Sequence, residues 1–273
     1  MNDFHFYDMH VHTFFSDGQH NFRVILEGLI DLGIKIVGFS DHLFPGSIYF
    51  HNNDPQWKVV NMFSARRLRY RKKYLQILNR KYSEIEILHG AEIDCLPNGN
   101  LTLPNGITPD FFDYLAVVKH HTIPKPIFPL KKFPKWKKWL WKNDPYLRGM
   151  NFMWRLGIQD TFQKYHPDIF CHPNANMPKL MPENQIRWFM ATLKKFNVAF
   201  ELNHFHDKIS VKQARLILKY GKKYGVKFSL GSDFHGFTQD PIKIKNQLNH
   251  SQKMYELAKK FNLSLFDPRT LTI

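Results

Sequence analysis

Apolar residues in this chain fall into seven short runs, separated by longer segments with a different pattern. The short runs have the length of buried strands, and they lie at about 4–9, 34–39, 85–88, 114–118, 168–171, 198–202 and 227–230. In the longer segments apolar residues recur three and four positions apart, which predicts helices at about 21–32, 62–82, 152–165, 183–195, 210–224 and 244–261. Because strands and helices alternate, we predict an α/β protein with a parallel sheet.

Ionisable side chains follow each of the seven short runs within a few residues. Burying imidazoles and carboxylates without partners is costly, and zinc, iron or manganese ions are partners that suit both groups. If the runs form one barrel, these residues converge on the face where barrel enzymes keep their catalytic groups. The residues at the run ends are His10, His12, Asp41, His42, Glu92, His120, His121, His172, Glu201, Asp233 and His235.

Two of these run ends share the same spacing. His10 and His12 are two residues apart, as are Asp233 and His235, and residues two apart on a strand point to the same side. The first and last strands of a closed barrel are neighbours, so we expect the two pairs to face one metal site. The alternative for the first pair is two strand histidines that bind no metal.

The other run ends each allow two interpretations. Glu92 either bridges two metals through its two oxygens or is a carboxylate of a loop or helix start. Asp41 and His42 either belong to the site, or Asp41 caps a turn and leaves His42 on the surface. His120 has a histidine neighbour, so only one of the two need be a ligand. Glu201 is either a ligand or a residue that orients a liganding imidazole.

Composition and charge narrow the class of protein. The chain has 273 residues, an apolar fraction of 43% and a formal net charge of +16, which fits one large barrel or two small domains. The positive charge suits nucleic acid, an anionic membrane or a small phosphorylated substrate, or it reflects a general lysine bias. Two cysteines form no disulfide framework, and no secretory signal or membrane-spanning run is evident. We therefore expect a cytoplasmic protein.

Residues 122–149 interrupt the alternation of strands and helices. Lysines and aromatic residues are interleaved there, and the segment follows the fourth strand, so it would lie over the face with the ionisable residues. Such a composition can bind single-stranded nucleic acid or an anionic surface. We favour a lid or a packing insert with buried tryptophans and solvated lysines, with an interface as the third interpretation.

Six segments resemble, in order, the motifs of the polymerase and histidinol phosphatase (PHP) superfamily. They read HVHTFFSDG, GFSDH, GAEID, VVKHH, CHPN and GSDFH, and they extend from about residue 8 to residue 236. The stretch from Tyr70 to Pro97 is most similar to the histidinol-phosphatase branch. The chain departs from that branch where Ser16-Asp17-Gly18 follows the first motif in place of a Cys and a His, and in the insert at 122–149.

The resemblance implies a distorted (β/α)7 barrel that occupies residues 1–273 as one domain, with metals at the carboxyl ends of its strands. It also implies three metal positions that share ligands. The first would use His10, His12, Glu92 and Asp233. The second would share Glu92 and add His120 and His172. The third would use Asp17, His42 and His235.

These features together predict a metal-dependent phosphoesterase. We favour a phosphomonoesterase similar to histidinol phosphatase, which hydrolyses a small phosphorylated metabolite with metal-activated water and two or three zinc, manganese or iron ions. Lys119, His121 and Arg148 are candidates for binding the substrate. One alternative is a nuclease or phosphodiesterase that uses the basic insert to bind nucleic acid. The other is a non-catalytic module with a degenerate metal site, against which the complete ligand set argues.

Overall fold

The computed structural model describes residues 6–43, 64–96, 98–118, 152–173, 182–203, 210–236 and 240–271. The strands in these ranges are β1 (Tyr7–Val11), β2 (Ile36–Phe39), β3 (His42–Leu43), β4 (Glu86–Asp94), β5 (Tyr114–Val118), β6 (Ile169–Phe170), β7 (Ala199–Leu202) and β8 (Phe228–Leu230). The α-helices in the same ranges are α1 (Phe22–Asp31), α2 (Ala65–Lys81), α3 (Phe152–Tyr165), α4 (Glu183–Lys195), α5 (Val211–Tyr224), α6 (Pro241–Leu248) and α7 (His250–Lys260).

The strands form one parallel sheet that curls into a nearly closed barrel. Its order is β1-β2-β4-β5-β6-β7-β8, and the two-residue strand β3 pairs with β4 beside this path. The two edges meet where the His12 amide donates to the Phe234 carbonyl and the Asp233 amide donates to the His10 carbonyl, each at 2.9 Å. The predicted (β/α)7 fold class is therefore confirmed, with β3 as an addition.

The helix ends follow local signals in the chain. Ser210 begins α5 with a capping box, in which the side chains of Ser210 and Gln213 each accept from the other residue's backbone N–H. Gly225 ends this helix with a φ of 66°, and Gly33 follows α1 with a φ of 76°. Glycine adopts this left-handed conformation without steric cost. The predicted ends of α1 and α5 are therefore correct to within one residue.

A buried tyrosine supports the barrel just before its strands reach their ionisable residues. The Tyr114 hydroxyl donates to the Met9 carbonyl at 2.8 Å, which joins β5 to β1 across the barrel. A side chain on Gly38 or Gly90 would collide with the tyrosine ring, so these two strand positions require glycine. Burying a large apolar side chain of this kind contributes about 1.5–3 kcal/mol. The ionisable ends of β1 and β4 thus rest on a packed interior.

Strand β4 is longer than its sequence pattern predicted. It continues through Glu92 to Asp94, so Glu92 lies inside a strand and not beyond its end. Residues up to His89 pair with β2, and residues from Gly90 onward pair with β5. The second half of β4 thus pairs with both β5 and β3, and this long-range pairing keeps its backbone extended. Likewise, β1 continues beyond its predicted end, through His10 to Val11.

The predicted C-terminal helix is two helices. The first begins earlier than predicted, because the Asp240 side chain accepts from the Ile242 backbone N–H and Pro241 occupies the first turn. The two helices, α6 and α7, meet at Asn249. Within the described part of the chain, no helix combines the length and apolarity needed to cross a membrane.

Candidate metal centre

The carboxyl ends of the strands bring eight of the nine predicted ligands together. They form three overlapping groups whose possible ligand atoms lie within 4.8 Å of one another. The groups are His12, Asp17, His42 and His235; His10, Glu92 and His172; and His10, His12 and Asp233. The ninth predicted ligand, His120, lies outside the described residues.

Asp17 is at the centre of the first group. One of its oxygens lies 3.5 Å from His42 Nε2 and 3.3 Å from His235 Nε2, and the other lies 3.7 Å from His12 Nδ1. Within the described ranges, neither oxygen accepts a hydrogen bond with standard geometry. Gly18 packs so closely on the His12 backbone that a side chain there would clash. A carboxylate facing three imidazole nitrogens at these distances fits a cation between them.

Glu92 lies between the first group and the second. Its Oε1 lies 2.5 Å from His172 Nε2, and its Oε2 lies 2.6 Å from His42 Nδ1. The same Oε2 is 3.6 Å from His10 Nε2 and 3.5 Å from His12 Nε2. Glu92 is 1% exposed and belongs to β4, so the interpretation as a loop or helix-start carboxylate was wrong. One carboxylate therefore faces four imidazoles from three separate segments.

The two residue pairs with two-residue spacing face each other, although Asp233 and His235 lie beyond the end of β8 and not on a strand. The Nε2 atoms of His10 and His12 lie 2.9 Å apart. Asp233 Oδ1 lies 3.5 Å from His10 Nε2 and 3.3 Å from His12 Nε2. The rings of His235 and His12 stack with their centroids 4.0 Å apart. Asp233 has a φ of 54°, an uncommon backbone conformation that clusters at functional sites.

The electrostatics of the cluster suit a bound cation. Burial, together with the neighbouring charges of His235 and His42, lowers the pKa of His12 to about 3. Burial opposes ionisation of Asp17, yet the facing His42 and His235 outweigh it and hold the pKa of this carboxyl well below its usual range. Burial also opposes protonation of His10, but the Glu201 carboxylate raises its pKa well above the usual range. A divalent cation would neutralise the same carboxylates and leave the imidazoles as ligands, so these residues fit a metal.

Glu201 contacts two predicted ligands, His10 and His172. Its Oε1 lies 2.6 Å from His10 Nδ1, and its Oε2 accepts from the His172 backbone N–H at 2.5 Å. A side chain on Gly231 would collide with both Glu201 and His10, which explains the glycine at the end of β8. An imidazole ligand is commonly oriented through its second nitrogen. The geometry therefore favours the orienting interpretation of Glu201.

Asp41 holds a turn beside the cluster. Its carboxylate accepts hydrogen bonds from Thr13, Ser16 and Arg71. The next residue, His42, is only 6% exposed and lies in the first group. The surface position considered for His42 was therefore wrong, although Asp41 does bind a turn as that interpretation required.

Arg71 is a residue beside the cluster that the sequence pattern did not single out, and it pairs with Asp41. It is completely buried, which is rare for an arginine unless it is paired. The signal that identifies it is helical spacing, because Arg71 falls on the same face of α2 as Leu68, Leu75 and Leu78. A cation on a leucine face implies a buried anionic partner.

Cys171 adjoins the cluster, because it forms a fourth group of possible ligands with His10 and Glu201. Cys171 is buried near His10 and Glu201, and burial raises the pKa of its thiol well above the usual range. A thiol in this environment is a poor nucleophile. The candidates for binding the substrate, Lys119, His121 and Arg148, lie outside the described residues, and so does the insert at 122–149.

Comparison with known proteins gives one family and several relatives. The family model described as PHP domain matches residues 8–266. The DNA polymerase/3'-5' exonuclease PolX of Bacillus subtilis (strain 168) is 24% identical over 230 residues, which cover 84% of this chain and 34% of that protein. This chain thus spans about a third of the length of that polymerase. A protein of Clostridium novyi (strain NT) named as a probable phosphatase is 25% identical over 241 residues, which cover 84% of this chain and 78% of that protein.

A solved structure shares the fold over nearly the whole chain. It is the histidinol phosphate phosphatase from Lactococcus lactis subsp. lactis Il1403, complexed with zinc, L-histidinol and phosphate. Its TM-score is 0.57 at 17% sequence identity, and the alignment covers 98% of both chains. At this level of identity the likeness establishes the barrel fold.

Proposed function

Because the chain belongs to the PHP domain family, we propose that it is a metal-dependent phosphomonoesterase that hydrolyses a small phosphorylated metabolite. The observation that carries this proposal is the position of Glu92 between His42 Nδ1, at 2.6 Å, and His172 Nε2, at 2.5 Å. A carboxylate between two groups of imidazoles is suited to hold two cations close together. Paired cations of this kind serve phosphate ester hydrolysis in many enzymes.

The eight clustered residues would hold two or three divalent cations, with His120 as a further ligand. The donors are imidazole nitrogens and carboxylate oxygens, a mixture that suits zinc, manganese or iron, whereas magnesium and calcium prefer oxygen ligands. When bound, such cations lower the pKa of water and polarise the phosphoryl oxygens.

Other residues of the chain would orient the metal ligands and exclude bulk water from them. Glu201 holds the His10 ring through Nδ1, which leaves Nε2 facing Glu92 and Asp233. The side chains of His10, His12 and Glu92 are completely shielded from solvent, and electrostatic interactions are stronger in such an environment. The formal net charge of +16 favours the approach of an anionic substrate.

A monoester of a small metabolite is the favoured substrate class. The support comes from the Clostridium novyi protein named as a probable phosphatase, because the alignment covers most of both chains. Lys119, His121 and Arg148 are proposed to contact the substrate. Histidinol phosphate is a reasonable first compound to test, since the protein with the same fold from Lactococcus lactis was solved with L-histidinol and phosphate.

The proposal is tested by metal loading and phosphate release. Purified protein is loaded with Zn²⁺, Mn²⁺ or Fe²⁺ and supplied with a panel of phosphomonoesters, and its metal content is measured by mass spectrometry. We expect about two or three ions per chain and phosphate release from at least one monoester. A His166→Ala variant, which removes an exposed histidine, serves as the control for histidine loss. Fully loaded protein that releases no phosphate from any compound would contradict the proposal.

A second candidate activity, on nucleic acid, has its own support. The similarity to the polymerase and exonuclease PolX covers 84% of this chain, and residues 122–149 combine lysines with aromatic residues. Binding through lysines to phosphates weakens steeply with salt. Salt-dependent binding of a single-stranded oligonucleotide, with metal-dependent cleavage faster than any monoester hydrolysis, would move this candidate ahead of the first.

A further inference from the structure

Arg71 connects α2 to three separate places in the barrel. Its Nε donates to Asp41 Oδ2 at 2.8 Å, its Nη1 to the Gly90 carbonyl at 3.0 Å and its Nη2 to the Phe39 carbonyl at 2.9 Å. Arg71 and Asp41 are both completely shielded from solvent. A planar guanidinium with donors in fixed directions can hold three acceptors at once, which a lysine ammonium on a flexible stem cannot do in the same way.

The Asp41 carboxylate, which binds Arg71, also binds the turn between β1 and α1. Its Oδ1 accepts from the Thr13 backbone N–H and from the Ser16 hydroxyl, both at 2.7 Å. Its Oδ2, which also binds Arg71, accepts from the Thr13 hydroxyl at 2.9 Å. Both ends of the Thr13–Ser16 turn are therefore held by a single carboxylate.

The residues held in this way are the direct neighbours of proposed ligands. Asp17 follows Ser16, and His42 follows Asp41. Both belong to the group of His12, Asp17, His42 and His235. Two other proposed ligands are supported differently, because Glu201 contacts the His10 ring and the His172 backbone. Two buried carboxylates thus support two different parts of the cluster.

We propose that Arg71, acting through Asp41, is a positioning residue that sets the metal affinity of the site formed by His12, Asp17, His42 and His235. This inference rests on the proposed function only in so far as the cluster binds metal. Arg71 touches none of these ligands. It holds the turn before Asp17 and the backbone before His42, so its loss changes ligand positions without removing a ligand. Changes in residues that orient metal ligands typically weaken metal affinity about 10–100-fold.

The experiment compares three variants for metal binding, independently of activity. Arg71→Lys keeps the positive charge and loses the planar group. The double variant Arg71→Met with Asp41→Asn removes both charges, because a lone buried carboxylate could unfold the protein and a replaced pair is better tolerated. Lys72→Met is the matched control, since Lys72 is the next residue of α2 and donates to the Phe111 carbonyl instead.

Metal-free protein is titrated with Zn²⁺ against a chromophoric chelator, and folding is checked by circular dichroism. We expect both Arg71 variants to fold and to lose affinity at one class of site by about 10–100-fold, while the remaining sites and the Lys72→Met variant bind as the parent does. Unchanged affinity at every site in either folded Arg71 variant would overturn the inference. An equal loss at all sites would also overturn it, because it would indicate a general structural role.

The result is separable from that of the proposed function. A parent protein that binds Zn²⁺ but hydrolyses no phosphomonoester refutes the proposed function, and the site-selective loss in the Arg71 variants still supports the role of Arg71. If the parent protein releases phosphate and the Arg71 variants bind metal normally, the proposed function is supported and the role of Arg71 is refuted.

Discussion

His10 Nδ1 lies 2.6 Å from Glu201 Oε1, and both side chains are completely shielded from solvent. The two residues come from β1 and β7, strands that are not adjacent in the sheet. The contact fixes the ring so that its other nitrogen faces His12 Nε2 at 2.9 Å. The orientation of a proposed ligand thus depends on a residue that lies 191 positions away in the chain.

We expect Glu201→Gln to weaken metal binding and leave the fold intact. The amide has nearly the same size, but it lacks the charge that faces the His10 ring, so the affinity should fall about 10–100-fold. The measurement is a Zn²⁺ titration of metal-free protein, with circular dichroism as the check on folding. Glu86→Gln, which changes an exposed carboxylate on β4, is the control. Parent-like affinity in Glu201→Gln would reject the orienting role.

We expect Glu92→Gln to lose more metal than His235→Ala does. Glu92 faces imidazoles of both the first and the second group, whereas His235 belongs to one group. Metal content per chain is measured by mass spectrometry after dialysis at a fixed metal concentration. A bridging role predicts that at least one additional ion is lost in the Glu92 variant. Equal metal contents in the two variants would contradict the bridge.

We expect His12→Ala and Asp233→Ala each to abolish phosphatase activity in a folded protein. Their side chains approach within 3.3 Å and are proposed to bind the same metal. Activity is compared at equal metal loading, with circular dichroism to verify folding and His166→Ala as the control. Turnover at the parent rate in either variant would remove that residue from the proposed site.

Asp8→Asn should stabilise the metal-free protein above pH 6. Asp8 is completely buried, its Oδ1 accepts from the backbone N–H groups of His10 and Ser232, and burial raises its pKa to about 6. The folded state therefore holds this proton more tightly than the unfolded state, whose pKa is about 3.9. Stability is lost as the pH rises from about 4 through 6, at up to about 1.4 kcal/mol per pH unit.

The effect of Asp8→Asn is measured by urea unfolding of the parent and the variant. A chelator is present, and the pH is varied from about 4 to about 7.5. The variant should exceed the parent by about 1–3 kcal/mol at the upper end of this range, and the difference should vanish near its lower end. Asp31→Asn, which removes an exposed carboxylate, controls for the change in net charge. If the stability advantage of the variant over the parent grows as the pH falls, the predicted direction of the pH dependence is wrong.

The insert is expected to govern substrate binding more than the chemical step. Replacing Lys131, Lys132, Lys137 and Lys138 by Gln should raise KM for a phosphorylated substrate at low salt and leave kcat nearly unchanged, which indicates the loss of uniform binding. The control replaces four exposed lysines elsewhere, namely Lys222, Lys223, Lys243 and Lys253. An unchanged KM would identify the insert lysines as a solvated surface. Loss of single-stranded nucleic acid binding would favour the nuclease.

Spacing along the chain was enough to predict much of the fold and of the cluster. Two-residue spacing placed His10 with His12 because successive side chains on a strand alternate between its faces. Spacings of three and four residues predicted α2 and α5. These features depend on local backbone geometry, to which each residue contributes through its immediate neighbours.

Contacts between distant segments required the folded structure. Strand β4 extends past its apolar run because β5 pairs with it from Gly90 onward, and no residue within the run indicates that partner. Glu201, which contacts His10, is 191 positions away from it in the chain, and Asp41, which pairs with Arg71, is 30 positions away. A sequence pattern tells which face of a strand or helix a side chain occupies. Which residue lies opposite depends on barrel closure and on strand register, since these set the distances between chain segments.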